Sequence, residues 1–200
     1  MKTKLLIVLC LALGLAACGP RTGWTDAERR LITESDSVMR VLTVEDPADL
    51  VVLRTPADTL TPAMLRSPEY AALQAKLVRT VTDPSQDGVG IAGPQVGLSR
   101  RVIAVMRFDK WGDPFEVFPN IRITAFRGER EAGPEGCLSI PGRRGDVLRY
   151  QDIDIAYTSP KTLRDTAERI LGFTAVIFQH ECDHLDGVLF TDYLDSEPKQ

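Results

Sequence analysis

Two histidines four residues apart, with a glutamate directly after the first, are the residues of this chain best suited to chemistry. They are His180, Glu181 and His184, which form the pattern His-Glu-x-x-His, and the chain has no other histidine. On a helix, residues four apart lie on one face, so both imidazoles can bind one metal ion. Glu181 would lie about 100 degrees further round, close to a metal ligand without binding the metal itself. The pattern predicts a metal site with a nearby general base.

A catalytic metal site with two histidines needs a third protein ligand, whose identity decides the expected chemistry. In the metzincin proteases the third ligand would stand at position 190, but that residue is Phe190. A downstream glutamate, as in thermolysin-like enzymes, could only be Glu197. Cys137 is an upstream candidate, although a disulfide between Cys137 and Cys182 would be the common arrangement in an exported protein. Phe190 therefore excludes the metzincin arrangement, and Glu197, in a polar tail, is a weak candidate. The choice between a metal ligand and a disulfide for Cys137 stays open at this point.

Three segments, in this order along the chain, resemble the signatures of the peptide deformylases. They are Gly-Val-Gly-Ile-Ala-Gly-Pro-Gln at 88–95, Glu-Gly-Cys-Leu-Ser at 135–139 and Gln-His-Glu-Cys-Asp-His at 179–184. The resemblance runs from about residue 51 to residue 194. Gly93 departs from it, because the family usually has alanine there, and we expect glycine to loosen the loop. The resemblance implies an α+β fold of antiparallel strands packed around a buried C-terminal helix that carries the two histidines.

The resemblance also implies the ligand set of the metal. Cys137 would join His180 and His184, leaving one position open for water or substrate. Cys182 would face away from the metal, about 200 degrees round the helix from either histidine, and is interpreted as buried packing. One divalent ion is expected, ferrous iron by resemblance, with zinc, nickel or cobalt as alternatives.

Further roles follow from the same resemblance. Glu181 would be the general base, and the Gln95 side-chain amide and the Leu138 backbone N–H would stabilise the developing oxyanion. Asp183 is predicted to pair with Arg149 beside the metal. The predicted substrate-binding residues are Val89, Gly90, Arg144, Phe173, Val176 and Ile177.

The function implied is hydrolysis of the N-formyl group from formyl-methionyl peptides or proteins, with release of formate. Two alternatives are kept beside it. One is a membrane-tethered metalloprotease, which shares the two histidines. The other is a peptide-binding protein of the same fold that has lost catalysis.

The start of the chain is typical of an export signal. Lys2 and Lys4 precede 13 small or apolar residues, from Leu5 to Ala17, and Cys18 follows. The run is too short for a membrane-spanning helix, which needs roughly 20 residues. The end of the run resembles the lipobox of bacterial lipoproteins, so we expect lipidation of Cys18 and a membrane-anchored protein of the cell envelope. An ordinary signal that leaves Cys18 as a free thiol is the alternative.

The surrounding elements are predicted from hydrophobic spacing and from helix breakers. Thr25 with Glu28 fits a capping box, and apolar residues continue at helical spacing to Leu42. Ser67 followed by Pro68 predicts the start of another helix. Predicted strands are residues 101–108, 121–126 and 153–157, and residues 173–186 form a predicted buried helix with a glycine past its end.

Length and charge limit the organisation further. A chain of 200 residues can bury one good-sized core. We expect a signal peptide at 1–17, a lipidated cysteine and tether with a short helix at 18–50, the deformylase-like domain at 51–195, and a polar tail at 196–200. The formal net charge is −4 and the sequence has no basic cluster, so the protein is expected to bind phosphate poorly, and no nucleic acid is expected as a partner.

Overall fold

The computed structural model describes residues 23–86 and 88–196, with side chains described to residue 194. The predicted signal peptide, Cys18 and the last four residues lie outside this range. The helices are α1 (Asp26–Glu34), α2 (Pro47–Leu53), α3 (Pro62–Leu65), α4 (Pro68–Val81), α5 (Phe173–Leu185) and α6 (Phe190–Ser196), with a short 3-10 helix at Gly93–Val96. The strands are β1 (Gly90–Ala92), β2 (Val102–Met106), β3 (Phe115–Pro119), β4 (Arg122–Cys137), β5 (Ile140–Thr158) and β6 (Asp165–Leu171).

The strands form two antiparallel sheets of three strands each, in the orders β1-β2-β3 and β4-β5-β6. β4 and β5 make one long hairpin, paired from Arg122 opposite Ala156 down to Cys137 opposite Ile140. The predicted combination of helices with antiparallel strands is confirmed. The hairpin also explains how Cys137 is placed, because it ends β4 at a tight turn.

Helix α5 contacts strands of both sheets. Its residues Phe178 and Leu185 are fully buried in a core cluster that includes Ile103 of β2 and Ile153 of β5. The helix ends where the sequence predicts, and Gly187 follows with a positive φ of 73°. A side chain at that position would come within 2.5 Å of the Arg54 carbonyl oxygen, so only glycine fits.

The strands that follow β3 are longer than the sequence predicts. The predicted strands 121–126 and 153–157 are short apolar parts of β4 and β5. Most of β4 beyond Phe126 is exposed, so it lacks the alternation of apolar and polar residues on which strand prediction depends. β6 was not predicted for the same reason, because Ile170 is its one buried residue and the strand shows no alternation of apolar and polar residues.

The region predicted as a tether is partly folded into the domain. Helix α1 has the predicted capping box but ends at Glu34, before the predicted apolar stripe does. Trp24, Ile32 and Met39 are all buried in one core cluster with residues of α4. The tether interpretation of residues 18–50 is therefore wrong for the described part, because these apolar side chains are needed to cover α4. The folded domain begins before residue 51.

A buried ion pair fixes α1 to the rest of the domain. The Arg100 side chain is 1% exposed, and its Nε donates to Glu28 Oε1 at 2.6 Å. The Trp24 indole N–H donates to the Ser67 hydroxyl at 2.8 Å. Within the described residues, no helix is both long enough and apolar enough to span a bilayer.

We predict that Glu28→Gln destabilises the protein by about 3 kcal/mol, because Arg100 then remains buried without a charged partner. Glutamine preserves the capping box, so the loss reports the ion pair. Urea unfolding of residues 19–200 measures the change. The control is Asp165→Asn, which removes the exposed pair with Arg122 and should cost less than about 1 kcal/mol. Equal losses in the two variants would contradict the prediction.

Candidate metal centre and substrate cavity

The three predicted metal ligands lie together in the structure. Ligand atoms of Cys137, His180 and His184 are all within 4.8 Å of one another. Cys137 Sγ is 3.2 Å from His184 Nε2, and the two imidazole centroids are 5.0 Å apart. The end of β4 and one turn of α5 thus bring a thiol and two imidazoles to one point.

The donor set fits a divalent transition metal. One thiolate and two neutral imidazoles match the preferences of iron, zinc, nickel and cobalt, and three protein donors leave a position for a further ligand. The ring of His180 is already oriented, because its Nδ1–H donates to Glu135 Oε2 at 2.8 Å. That bond leaves the other nitrogen of His180 for the metal.

The charges of the cluster favour a thiolate. Burial favours the neutral thiol of Cys137, but the imidazoles of His184 and His180 outweigh burial and hold its pKa well below the usual range. Burial also opposes the charged form of His180, yet Cys137 and Glu135 hold its pKa well above the ordinary value. Positive charge beside Cys137 is therefore favoured, and a bound cation supplies the same charge.

Glu135 and Arg149 form a buried network behind the ligands. Arg149 Nε donates to Glu135 Oε1 at 2.7 Å, and its NH1 donates to Asp183 Oδ2 at 2.6 Å. The predicted pairing of Asp183 with Arg149 is confirmed. Burial raises the pKa of Glu135, but hydrogen bonds from His180 and Arg149 outweigh burial and lower it to about 2. Glu135 therefore stays charged and holds the ring of His180.

Glu181 lies beside the ligands in a nearly dry position. Its side chain is buried, and its Oε2 has no hydrogen-bond partner. Burial raises the pKa of Glu181 to about 7, although His180 and His184 oppose that rise. A Cβ atom at Gly90 would overlap the Glu181 carboxylate, so glycine is required in β1 for this approach.

The Gln95 side chain is fixed with its amide nitrogen toward the ligands. Its Oε1 accepts a hydrogen bond from the Ala92 backbone at 2.8 Å, and its Nε2 is 3.6 Å from Cys137 Sγ and 3.3 Å from Ser139 Oγ. Leu138 follows Cys137 directly in the chain and lines a cavity that opens in front of the ligand cluster.

The expectation that Gly93 loosens this loop is wrong. Gly93 is buried, and a Cβ atom there would come within 2.6 Å of the Arg100 carbonyl oxygen and 2.8 Å of the Leu98 carbonyl oxygen. The missing side chain thus lets the loop pack tightly against the segment before β2.

A cavity of about 510 Å³ opens in front of the ligand cluster. All of the predicted substrate-binding residues line it: Val89, Gly90, Arg144, Phe173, Val176 and Ile177. Sequence reasoning missed Ile140, Arg143 and Pro134, which also line it. Each of the three is within four residues of Cys137 or next to Arg144. Their closeness in sequence to these two predicted site residues could have identified them.

Cys182 lies where the helical spacing predicts. Its side chain is 6% exposed within the core cluster around α5. Both Cys137 and Cys182 are free cysteines. Burial raises the pKa of the Cys182 thiol beyond its usual range, as expected for an inert packing residue.

The sequence model of the Polypeptide deformylase family matches residues 38–200. The chain belongs to the polypeptide deformylase family. A peptide deformylase of Symbiobacterium thermophilum is 39% identical over 150 residues, which are 72% of this chain and 66% of that protein. The alignment thus spans just under two thirds of that relative.

Solved structures of deformylases have the same fold. The Met-Ala-Ser-bound class I type b peptide deformylase of Acinetobacter baumannii aligns with a TM-score of 0.68 at 32% identity, covering 78% of this chain and 98% of that one. The peptide deformylase of Thermotoga maritima aligns with a TM-score of 0.67 at 31% identity, covering 78% of this chain and 97% of that one. Deformylases are metalloenzymes, in agreement with the donor set found here.

We predict that Glu135→Gln weakens metal binding by about 10- to 100-fold, because a neutral amide holds the His180 ring less strongly. Competition with a chelator, performed without air, measures the dissociation constant. Glu131→Gln is the control, since Glu131 is exposed on the same strand. Unchanged metal affinity in Glu135→Gln would show that the network is dispensable.

Proposed function

We propose that this protein hydrolyses the N-formyl group of formyl-methionyl peptides or proteins and releases formate. The observation that carries the proposal is the convergence of Cys137, His180 and His184 beside the buried carboxylate of Glu181. Family membership supports the proposal, as does the relative from Acinetobacter baumannii that is described with Met-Ala-Ser bound.

The metal ligands in this proposal are Cys137, His180 and His184, carried by the end of β4 and by the His-Glu-x-x-His turn of α5. A divalent ion held there would act as a Lewis acid and lower the pKa of the water that attacks the formyl carbonyl. Ferrous iron is the ion we propose, with zinc, nickel or cobalt as substitutes.

The chain itself moves the protons and stabilises charge. Glu181 takes a proton from the attacking water on its unpartnered Oε2 and passes it to the departing amine. The Gln95 amide nitrogen, held beside the ligand cluster, donates to the oxygen of the carbonyl as that oxygen becomes negative. The backbone N–H of Leu138 is the second proposed donor.

The cavity accounts for the position of the substrate. Phe173, Val176 and Ile177 give it an apolar wall of α5, which we propose takes the methionine side chain. Val89 and Gly90 present backbone groups to the extended peptide. Arg144 at the rim is the proposed contact to the peptide backbone, and its side chain lies against Gly136.

The two alternatives gain no specific support. For a metzincin-type protease the third ligand would be residue 190. Phe190 has no atom that binds a metal, and its side chain is 1% exposed in the core. Glu197, the thermolysin-type alternative, lies outside the described residues. A peptide-binding protein that has lost catalysis would not need both Glu181 and Gln95 held beside the ligand cluster.

The proposed place of action is the cell envelope. The apolar run and the Leu-Ala-Ala-Cys sequence that ends at Cys18 support export and lipidation. Trp24 is already buried in the domain, so only five residues would separate the packed part of the chain from a lipid on Cys18. The enzyme would then act on formylated chains at the membrane surface.

We predict that Glu181→Gln abolishes formate release from formyl-Met-Ala-Ser, a loss of at least about 100-fold, and retains the metal. Purified residues 19–200 are assayed with Fe2+ under nitrogen and with Zn2+ in air. Glu129→Gln, an exposed residue of β4, is the control. Full activity of Glu181→Gln, or cleavage of internal peptide bonds by the wild type, would refute the proposal.

We predict that Cys18 is lipidated and that Cys18→Ser releases the protein from membranes. The full chain is expressed in a Gram-negative host, membranes are separated from soluble fractions, and the mass of the N-terminal peptide is measured. The expected peptide begins at Cys18 and carries acyl groups. Retention of residues 1–17 in a wholly cytosolic protein would disprove export.

A further inference from the structure

Two exposed aromatic rings meet at the mouth of the cavity. Phe173 begins α5, lines the cavity and is 54% exposed. The ring of Phe108, which is 40% exposed, lies 5.5 Å from it between centroids. Phe108 follows β2 and is not part of any deformylase signature in the sequence. The pair forms an aromatic shelf that continues the apolar wall of α5 beyond the cavity.

The turn that carries Phe108 is held firmly in place. Arg107, which is 2% exposed, donates to both oxygens of Asp109 at 2.8 and 2.7 Å. Its NH1 also donates to Glu116 at 2.7 Å and to Glu168 at 3.1 Å. The Asp109 side chain also interacts with that of Thr174 in the first turn of α5. Phe108 is thus fixed against the helix that forms the cavity wall.

The spacing of the two rings matches an extended peptide. In an extended chain, the side chains of residues 1 and 3 point the same way and are about 6.5 to 7 Å apart along the chain. If the methionine side chain of the substrate lies against α5 in the cavity, the side chain of the third substrate residue points toward the same side. It would then lie one such spacing further toward the cavity mouth. The step from the Phe173 ring to the Phe108 ring is 5.5 Å, close to that distance.

We infer that Phe108 is a specificity-determining residue, which binds an apolar or aromatic side chain at the third position of formyl-methionyl substrates while Phe173 beside it contacts the methionine side chain. This inference rests on the proposed function. Aromatic rings in a fixed pair favour a further ring or an aliphatic chain, whereas serine at that position leaves the shelf in water. The preferred substrates are therefore formyl-methionyl chains with a hydrophobic third residue.

A membrane surface is the competing partner for these side chains. Trp111 lies three residues after Phe108 in the same turn and is fully exposed. Tryptophan is enriched at membrane–water interfaces, where its amphipathic ring lies at the level of the lipid headgroups. The contact of Phe108 with a cavity-lining ring, and its fixed position through Asp109, favour the peptide.

The test compares formyl-Met-Ala-Phe with formyl-Met-Ala-Ser. For the wild type, kcat/KM for the phenylalanine peptide should exceed that for the serine peptide by about tenfold, mainly through KM. Phe108→Ala should reduce the preference to about twofold and leave the rate with the serine peptide unchanged. Phe108→Tyr should restore the preference, since tyrosine keeps the ring.

Phe126→Ala is the matched control. Phe126 of β4 is 51% exposed, its ring lies 5.0 Å from that of the half-buried Tyr150 of β5, and neither ring lines the cavity. This variant should keep the full preference. An equal loss for both peptides in Phe108→Ala, or the same change in Phe126→Ala, would overturn the inference.

Binding separates this inference from the proposed function. The dissociation constants of Met-Ala-Phe and Met-Ala-Ser, measured by calorimetry with metal-loaded protein, should show the same preference and the same effect of Phe108→Ala. If no peptide is deformylated, the proposed function fails and these constants still decide the role of the shelf. If Phe108→Ala keeps the peptide preference but lowers sedimentation with phosphatidylcholine vesicles, the shelf contacts membrane and the inference is wrong.

Discussion

The Glu135 carboxylate joins the two elements that carry the proposed metal ligands. Glu135 stands two residues before Cys137 on β4, and it accepts a hydrogen bond from His180 on α5. Arg149 of β5 holds the same carboxylate and also binds Asp183, one residue before the second histidine ligand. The strand and the helix are therefore linked by charge at the point where their ligands converge. A buried network of this kind is costly to form and is kept where geometry matters.

Packing against both sheets fixes the orientation of α5, which the Glu135–Arg149 network alone could not do. Helix α5 is covered by residues of both sheets, so its ligand-bearing face cannot turn away from β4. The loop with Gln95 is pressed into place at Gly93, and Gly90 leaves room for the Glu181 carboxylate. Each glycine permits a close approach that a side chain would block. The Glu181 carboxylate and the Gln95 amide, the proposed base and oxyanion donor, are therefore already held beside the ligand cluster in the structure without substrate.

The sequence predicts the site better than the fold around it. The helix with His180 and His184 is predictable, because a long apolar run ends at a glycine and the ligands recur at helical spacing. The proposed role of Cys137 as a metal ligand follows from a family resemblance alone, since no local spacing links this residue to the histidines. Glu135 was missed as a ligand support because its partners, Arg149 and His180, are distant in sequence and meet only through the β4–β5 hairpin. The long exposed strands and the docked N-terminal helix were missed for a similar reason, since their partners are tertiary.

X-ray absorption at the metal edge of residues 19–200, loaded with one equivalent of zinc or of ferrous iron, tests the central claim most directly. The account predicts one sulfur neighbour at about 2.3 Å and two imidazole nitrogens at about 2.0 to 2.1 Å, with the sulfur lost in Cys137→Ser. A spectrum without a sulfur neighbour in the wild-type protein would contradict the account.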